Sequence, residues 1–180
     1  RAGPPVLASG PAREGMGVMF RNCSLLGVCV GLLTLGCTDL QHQTVTSPNG
    51  RVSVTFDVQG GRAHYAIHHD GKPVIDSSGL GLQLRGAEPI AEGLVAREVS
   101  IDSSDVTWDP VWGIRSPVED NHVELLVTLE ESGGAGRVLH LRFRAYDDGV
   151  AFRYEIPAQE GLDRLEITGE DTEIRFPADR

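Results

Sequence analysis

Through most of the chain, apolar residues recur at a period of two. Leu139, Leu141, Phe143 and Ala145 alternate with His140, Arg142, Arg144 and Tyr146, which gives an extended strand one apolar and one polar face. Asp147, Asp148 and Gly149 interrupt the alternation, and Val150, Phe152, Tyr154 and Ile156 resume it. Asp-Gly supplies the positive φ of tight hairpin turns, so this segment predicts a hairpin with Phe143 and Phe152 on one buried face. Similar apolar rows are Val52, Val54, Phe56 and Val58; Tyr65 and Ile67; Leu80, Leu82 and Leu84; and Val123, Leu125, Val127 and Leu129. Turn signals separate them at Asn49-Gly50, Gly60-Gly61, Asp70-Gly71, Ser77-Ser78-Gly79, Ser132 to Gly136 and Asp148-Gly149. No segment carries a helical period. Many short strands with regular turns predict an all-β sandwich of antiparallel strands.

The first part of the chain follows a different pattern. Met19-Phe20-Arg21-Asn22 precedes an apolar run from Cys23 to Gly36. That run is too short to span a bilayer comfortably and fits the apolar region of a signal peptide. It ends at Thr34-Leu35-Gly36-Cys37, where a small residue before cysteine resembles the lipobox of bacterial lipoproteins. The expected organisation is an upstream or disordered tail over 1–18, a signal peptide over 19–36 and a polar tether over 37–46. A domain over 47–180 follows, with Cys37 as lipidation site and Met19 or Met16 as start. The protein is therefore expected to be exported, either to the periplasm or outer membrane as a lipoprotein, or secreted. Contact with a membrane is expected only through the lipid anchor.

Composition narrows the chemistry. A formal net charge of −10 lacks the concentrated Lys and Arg that phosphate recognition needs, which argues against nucleic acid as a partner. All three cysteines, Cys23, Cys29 and Cys37, lie in or directly after the leader, so the domain is expected to fold without a disulfide and without zinc–thiolate chemistry. The acidic residues Glu166, Glu170, Asp171 and Glu173 lack EF-hand spacing and read as solvated surface.

Three groups of residues carry candidate chemistry. Trp108 and Trp112 flank Asp109-Pro110, and Pro110 keeps both rings out of one continuous strand. Exposed indoles stack on the apolar faces of sugars or fill a domain interface; the alternative is packing inside the domain. Asn121, His122 and Glu124 offer donor, acceptor and titratable groups, and the His-x-Glu spacing puts two of them on one sheet face. They read either as hydrogen-bonding partners of sugar hydroxyls or as an internal network fixing a loop. His64, His68 and His69 lack a third ligand type that would mark a metal site, and no metal ligand is assigned.

One family fits these motifs in order. Ser47-Pro48-Asn49-Gly50, Gly71-Lys72-Pro73-Val74-Ile75, Leu80-Gly81-Leu82, Thr107-Trp108-Asp109-Pro110-Val111-Trp112-Gly113, Asn121 to Leu125 and the Arg142 to Pro157 hairpin closely resemble the N-terminal domain of glycoside hydrolase family 97. That family comprises bacterial α-glucosidases and α-galactosidases. The chain departs from the usual pattern at Asp120, where the family carries a basic residue, and at Val123, where it carries an aromatic. The resemblance implies a β-supersandwich like that of galactose mutarotases, whose partner in the full-length protein is its own catalytic (β/α)8 barrel. It also implies an α-linked oligosaccharide as substrate and calcium in the full-length enzyme, with none held within this segment. A barrel needs roughly 250 residues of alternating strand and helix, so the chain is expected to be a fragment, incomplete at its C-terminal end. No catalytic residue is assigned, because the family's carboxylates come from the barrel. The rivals are a stand-alone glycan-binding lipoprotein and, on fold alone, an aldose epimerase.

Overall fold

The computed structural model describes residues 39–112, 117–162 and 164–178. The leader, Cys37 and Gly113 lie outside them. Ten strands follow one another: β1 (His42–Thr46), β2 (Val52–Gln59), β3 (Arg62–His69), β4 (Lys72–Gly79), β5 (Leu82–Leu84), β6 (Leu94–Trp108), β7 (Val118–Glu131), β8 (Val138–Tyr146), β9 (Gly149–Glu155) and β10 (Ile167–Glu170). The described residues contain no helix. Sheets ordered β1-β2-β3-β4 and β6-β7-β8-β9 carry the sandwich, and β10 and β5 form a short third pair. All neighbouring pairs are antiparallel.

The two large sheets meet through the rows that the alternation singles out. Val54 and Phe56 of β2 face Leu125, Val127 and Leu129 of β7 and Leu139, Leu141, Phe143 and Ala145 of β8, all essentially inaccessible to solvent. An aromatic chain extends this core: Phe56 lies 6.2 Å from Phe143, and Tyr65 lies 5.4 Å from Phe152. Burying each large side chain contributes about 1.5–3 kcal/mol, and the two inner faces together supply the stabilising apolar area.

The β8–β9 hairpin has the expected register but not the expected turn. Phe143 pairs with Phe152, 5.8 Å between ring centres, with Phe143 fully and Phe152 partly buried. Tyr146 pairs with Gly149, so the two loop residues are Asp147 and Asp148, and Gly149 has no positive φ. The positive-φ turn is found instead at Asp70-Gly71 (φ 48° and 73°) between β3 and β4, and again at Gly60-Gly61 (57° and 81°) between β2 and β3.

One further expectation is corrected. The segment read as a tether contributes β1, which pairs with β2 over its full length and buries Val45, while the Gln41 side chain binds the backbone of Ala96 at 3.0 and 3.2 Å. In the acidic C-terminal stretch Glu166, Glu170 and Glu173 are exposed, as expected, and Asp171 is half-buried. Asp171 accepts from the Gln83 amide, Glu173 accepts from the Gly79 amide at 2.9 Å, and Glu166 pairs with Arg85 at 2.9 Å.

Candidate functional site

Strands β6 and β7 are the longest among the described residues, with 15 and 14 residues, paired from Leu94 and Glu131 out to Trp108 and Val118. The first half of β6 and the second half of β7 lie on the core. Past Ser100 the β6 side chains turn largely to solvent, so the distal hairpin forms an arm. Polar residues from Asp102 to Asp105 leave that part of β6 nothing to bury. At its end stand Trp108, 51% exposed, and Trp112, 88% exposed, beside the fully exposed Val111. Neither indole packs inside the domain.

Pairing fixes which residues share a face. Ser104 lies opposite His122, Val106 opposite Asp120 and Trp108 opposite Val118, so Trp108, Val106, His122 and Glu124 face one way and Asn121 the other. His122 and Trp108 are then separated along the arm by about 13 Å, four residues of strand rise. Of the predicted site residues, the structure therefore gathers Trp108, His122 and Glu124 on one face, sets Trp112 in the adjoining loop and points Asn121 away. The His-x-Glu pair sits inside β7, four residues past its start at Val118.

His122 is 4% exposed and hydrogen-bonded to Asp120, Nδ1 to Oδ1 at 2.8 Å, while the Tyr146 ring covers it with centres 5.0 Å apart. The Tyr146 hydroxyl donates to the same Asp120 oxygen at 3.2 Å. Asp120 is thus the acceptor that holds both rings. Glu124 accepts from the Arg142 and Arg144 guanidinium groups, the latter at 2.7 Å. Arg142 also donates to Glu155 at 2.7 and 3.2 Å, and Arg153 donates to Glu155 at 2.6 Å. The Arg142 hydrogen bond, reinforced by Arg153, lowers the Glu155 carboxyl to about 2, and charge-assisted bonds of this kind are stronger than neutral ones. The outer face of β7, β8 and β9 is therefore a stapled polar lattice. Its members Asp120, Arg142, Arg144, Tyr146 and Glu155 are absent from the sequence-based candidates. Three of them appear there only as the polar face of β8, because alternation does not reveal which strand lies alongside.

A second concavity of about 800 Å³ lies at the opposite end of the sandwich, with Arg62, Glu88, Ser132, Arg137 and Asp171 in its wall. At its base Arg137 forms a bidentate pair with Glu131, both contacts 2.6 Å, and donates to the carbonyls of Glu88 and Pro89 at 2.8 and 3.3 Å. Arg137 is spent on fastening one loop to another, and no aromatic ring lines this cleft. The arm, with its exposed indoles, is the better surface for a sugar.

A family model described as glycosyl-hydrolase 97 N-terminal matches residues 45–180. The chain belongs to glycoside hydrolase family 97. Among solved structures it is similar to a family 97 enzyme from Pseudoalteromonas sp. strain K8 in complex with panose, 35% identical, covering 74% of this chain and 20% of that one, with a TM-score of 0.70. The same enzyme in complex with acarbose matches equally. A β-arabinopyranosidase matches at 28% identity over 75% of this chain and 21% of its own, with a TM-score of 0.68. The chain thus spans about a fifth of the length of the solved enzymes it matches, and its fold is that of the family's N-terminal β-supersandwich.

Proposed function

We propose that this segment is the non-catalytic N-terminal domain of an exported α-glycosidase of the α-glucosidase or α-galactosidase type, where it braces the catalytic barrel and helps wall the sugar site. The observation that supports this most is the family match over residues 45–180 in a chain spanning a fifth of enzymes solved with panose and acarbose. The arm supplies the physical means. Trp108 and Trp112 are exposed at the end of the β6–β7 hairpin, where an indole face can meet a sugar or a second domain.

In this reading Glu124 is a structural residue, neither acid nor base. Both Glu124 oxygens accept from arginines, which leaves neither free for a substrate. Acid and base belong to the barrel in this reading, as does the α-linked oligosaccharide in transit through its site. Calcium is proposed for the full-length enzyme. Among the described residues no three His, Cys, Asp or Glu side chains converge to hold an ion, so the described residues do not furnish a complete site. Export through the 19–36 leader with acylation at Cys37 completes the proposal; palmitate labelling of the leader-bearing protein in a Gram-negative host should disappear in Cys37→Ala.

The arm's role is tested in the full-length gene product. Trp108→Ala and Trp112→Ala together should raise KM for an α-linked trisaccharide about tenfold, the loss of roughly one stacking contact. Unchanged KM and kcat, with unchanged melting, would remove the arm from the sugar site and from the barrel interface.

A further inference from the structure

Strand pairing brings three arginines together on the outer face of the β6-β7-β8-β9 sheet. Arg142 lies directly opposite Arg153, and Arg144 directly opposite Ala151. Like charges set opposite each other across a strand pair destabilise it, so the arrangement needs counter-charge. Two carboxylates supply part of it. Glu155 Oε1 accepts from Arg142 Nε at 2.7 Å and from Arg153 Nε at 2.6 Å, while Glu124 is shared between Arg142 and Arg144. Three guanidinium groups thus share two carboxylates, a local positive surplus on a chain of net charge −10. The nearby acids of β6 and β7 do not cancel it: Asp102 lies beyond Glu124, and Asp120 already holds His122 and Tyr146.

The surplus surrounds a hollow. Ala151 offers only a methyl group beside these long side chains, and a concavity of about 140 Å³ opens there, lined by Arg142, Arg144, Tyr146, Ala151, Phe152 and Arg153. That is room for about four or five waters at roughly 30 Å³ each, or for one compact oxyanion. No carboxylate is among the lining residues. Arg142 spends three nitrogens on Glu124 and Glu155, whereas among the described residues Arg144 bonds a carboxylate only through Nε, one of its five N–H donors. The Arg144 and Arg153 side chains are 36% and 63% exposed, so an anion reaches both from solvent.

We propose that this hollow is a carboxylate-binding site, taking the acid group of a small organic acid or of an acidic sugar between Arg144 and Arg153. Guanidinium forks match a planar carboxylate with paired N–H donors. Tyr146 lines the same hollow, so a wall of ring and hydroxyl stands beside the anchor, which suits a sugar acid over a bare anion. The site does not involve the exposed indoles and stands whatever the longer protein hydrolyses. Because the net charge of the chain opposes any anion, the dissociation constant is expected on the order of 1–10 mM.

The test is titration of the purified 180-residue chain with sodium glucuronate and with sodium acetate, ionic strength being held constant with sodium chloride and glucose serving as the uncharged control. The Nε–Hε resonances of Arg144 and Arg153 should shift saturably with the acids and stay in place with glucose. Glucuronate binding several-fold tighter than acetate assigns the site to acidic sugars, and equal affinity assigns it to carboxylates in general. Arg153→Gln, at an exposed position, should weaken binding about fivefold or more through loss of one guanidinium fork. Ala151→Glu should put a carboxylate of the chain's own into the hollow, raising the urea midpoint and abolishing the shifts. Shifts that fail to saturate with either acid would overturn the proposal, as would undiminished binding in Ala151→Glu.

Discussion

Arg142 is the side chain on which the outer face depends, because it bridges Glu124 of β7 and Glu155 of β9 from β8. Arg142→Ala should destabilise the domain by about 1 kcal/mol, the low end for hydrogen bonds to charged groups since the lattice is partly solvated; urea unfolding at neutral pH measures it. The same substitution should change the acid response. Glu155 is held at about 2 against an ordinary 4.5, so its contribution is fully present above pH 4.5 and is lost as pH falls towards 2. Between those values the wild-type domain should lose stability more steeply than Arg142→Ala, and parallel acid limbs would remove Arg142 as the cause. Trp108 and Trp112 mark the other extreme. Each changed to alanine should leave isolated-domain stability within about 0.5 kcal/mol, whereas Phe143→Ala should cost about 3–5 kcal/mol.

At the scale of elements, two Asp-Gly dipeptides make a controlled comparison. Gly71 sits in the loop with φ 73°, while Gly149 is the first paired residue of β9, lacks a positive φ and has open space where a Cβ would stand. Gly71→Ala should cost about 1 kcal/mol or more, and Gly149→Ala should lie within about 0.5 kcal/mol of wild type or above it. Equal costs would place the β8–β9 turn elsewhere. The dipeptide was legible in the sequence, but which two residues occupy the loop was not, because strand pairing decides that. Alternation revealed β2, β7, β8 and β9, where four apolar residues repeat. It missed β1, whose five residues bury only Val45, and the arm, whose β6 half is polar and pairs without a core. The indoles were legible as residue types, their exposure only as one of two outcomes. The Asp120–His122–Tyr146 cluster needed the β7–β8 register, which no single strand encodes.

For the whole molecule, the family assignment relates the sandwich to solved enzymes about five times the matched length, and the proposed role is that of a scaffold. Glu124 and Glu155 are bound by arginines and Glu173 by a backbone amide, the cleft at the far end is floored by a closed ion pair, and both indoles stand exposed on one arm. In the full-length product, chelation should abolish hydrolysis and added calcium should restore it; activity indifferent to chelator would remove the metal from the proposal. The most direct measurement is turnover of nitrophenyl α-glucoside and α-galactoside by the purified 180-residue chain beside the full-length gene product. The account predicts hydrolysis of at least one substrate by the longer protein and none above background by the shorter. Turnover by the shorter chain that vanishes in Glu124→Gln or Asp109→Asn would contradict it.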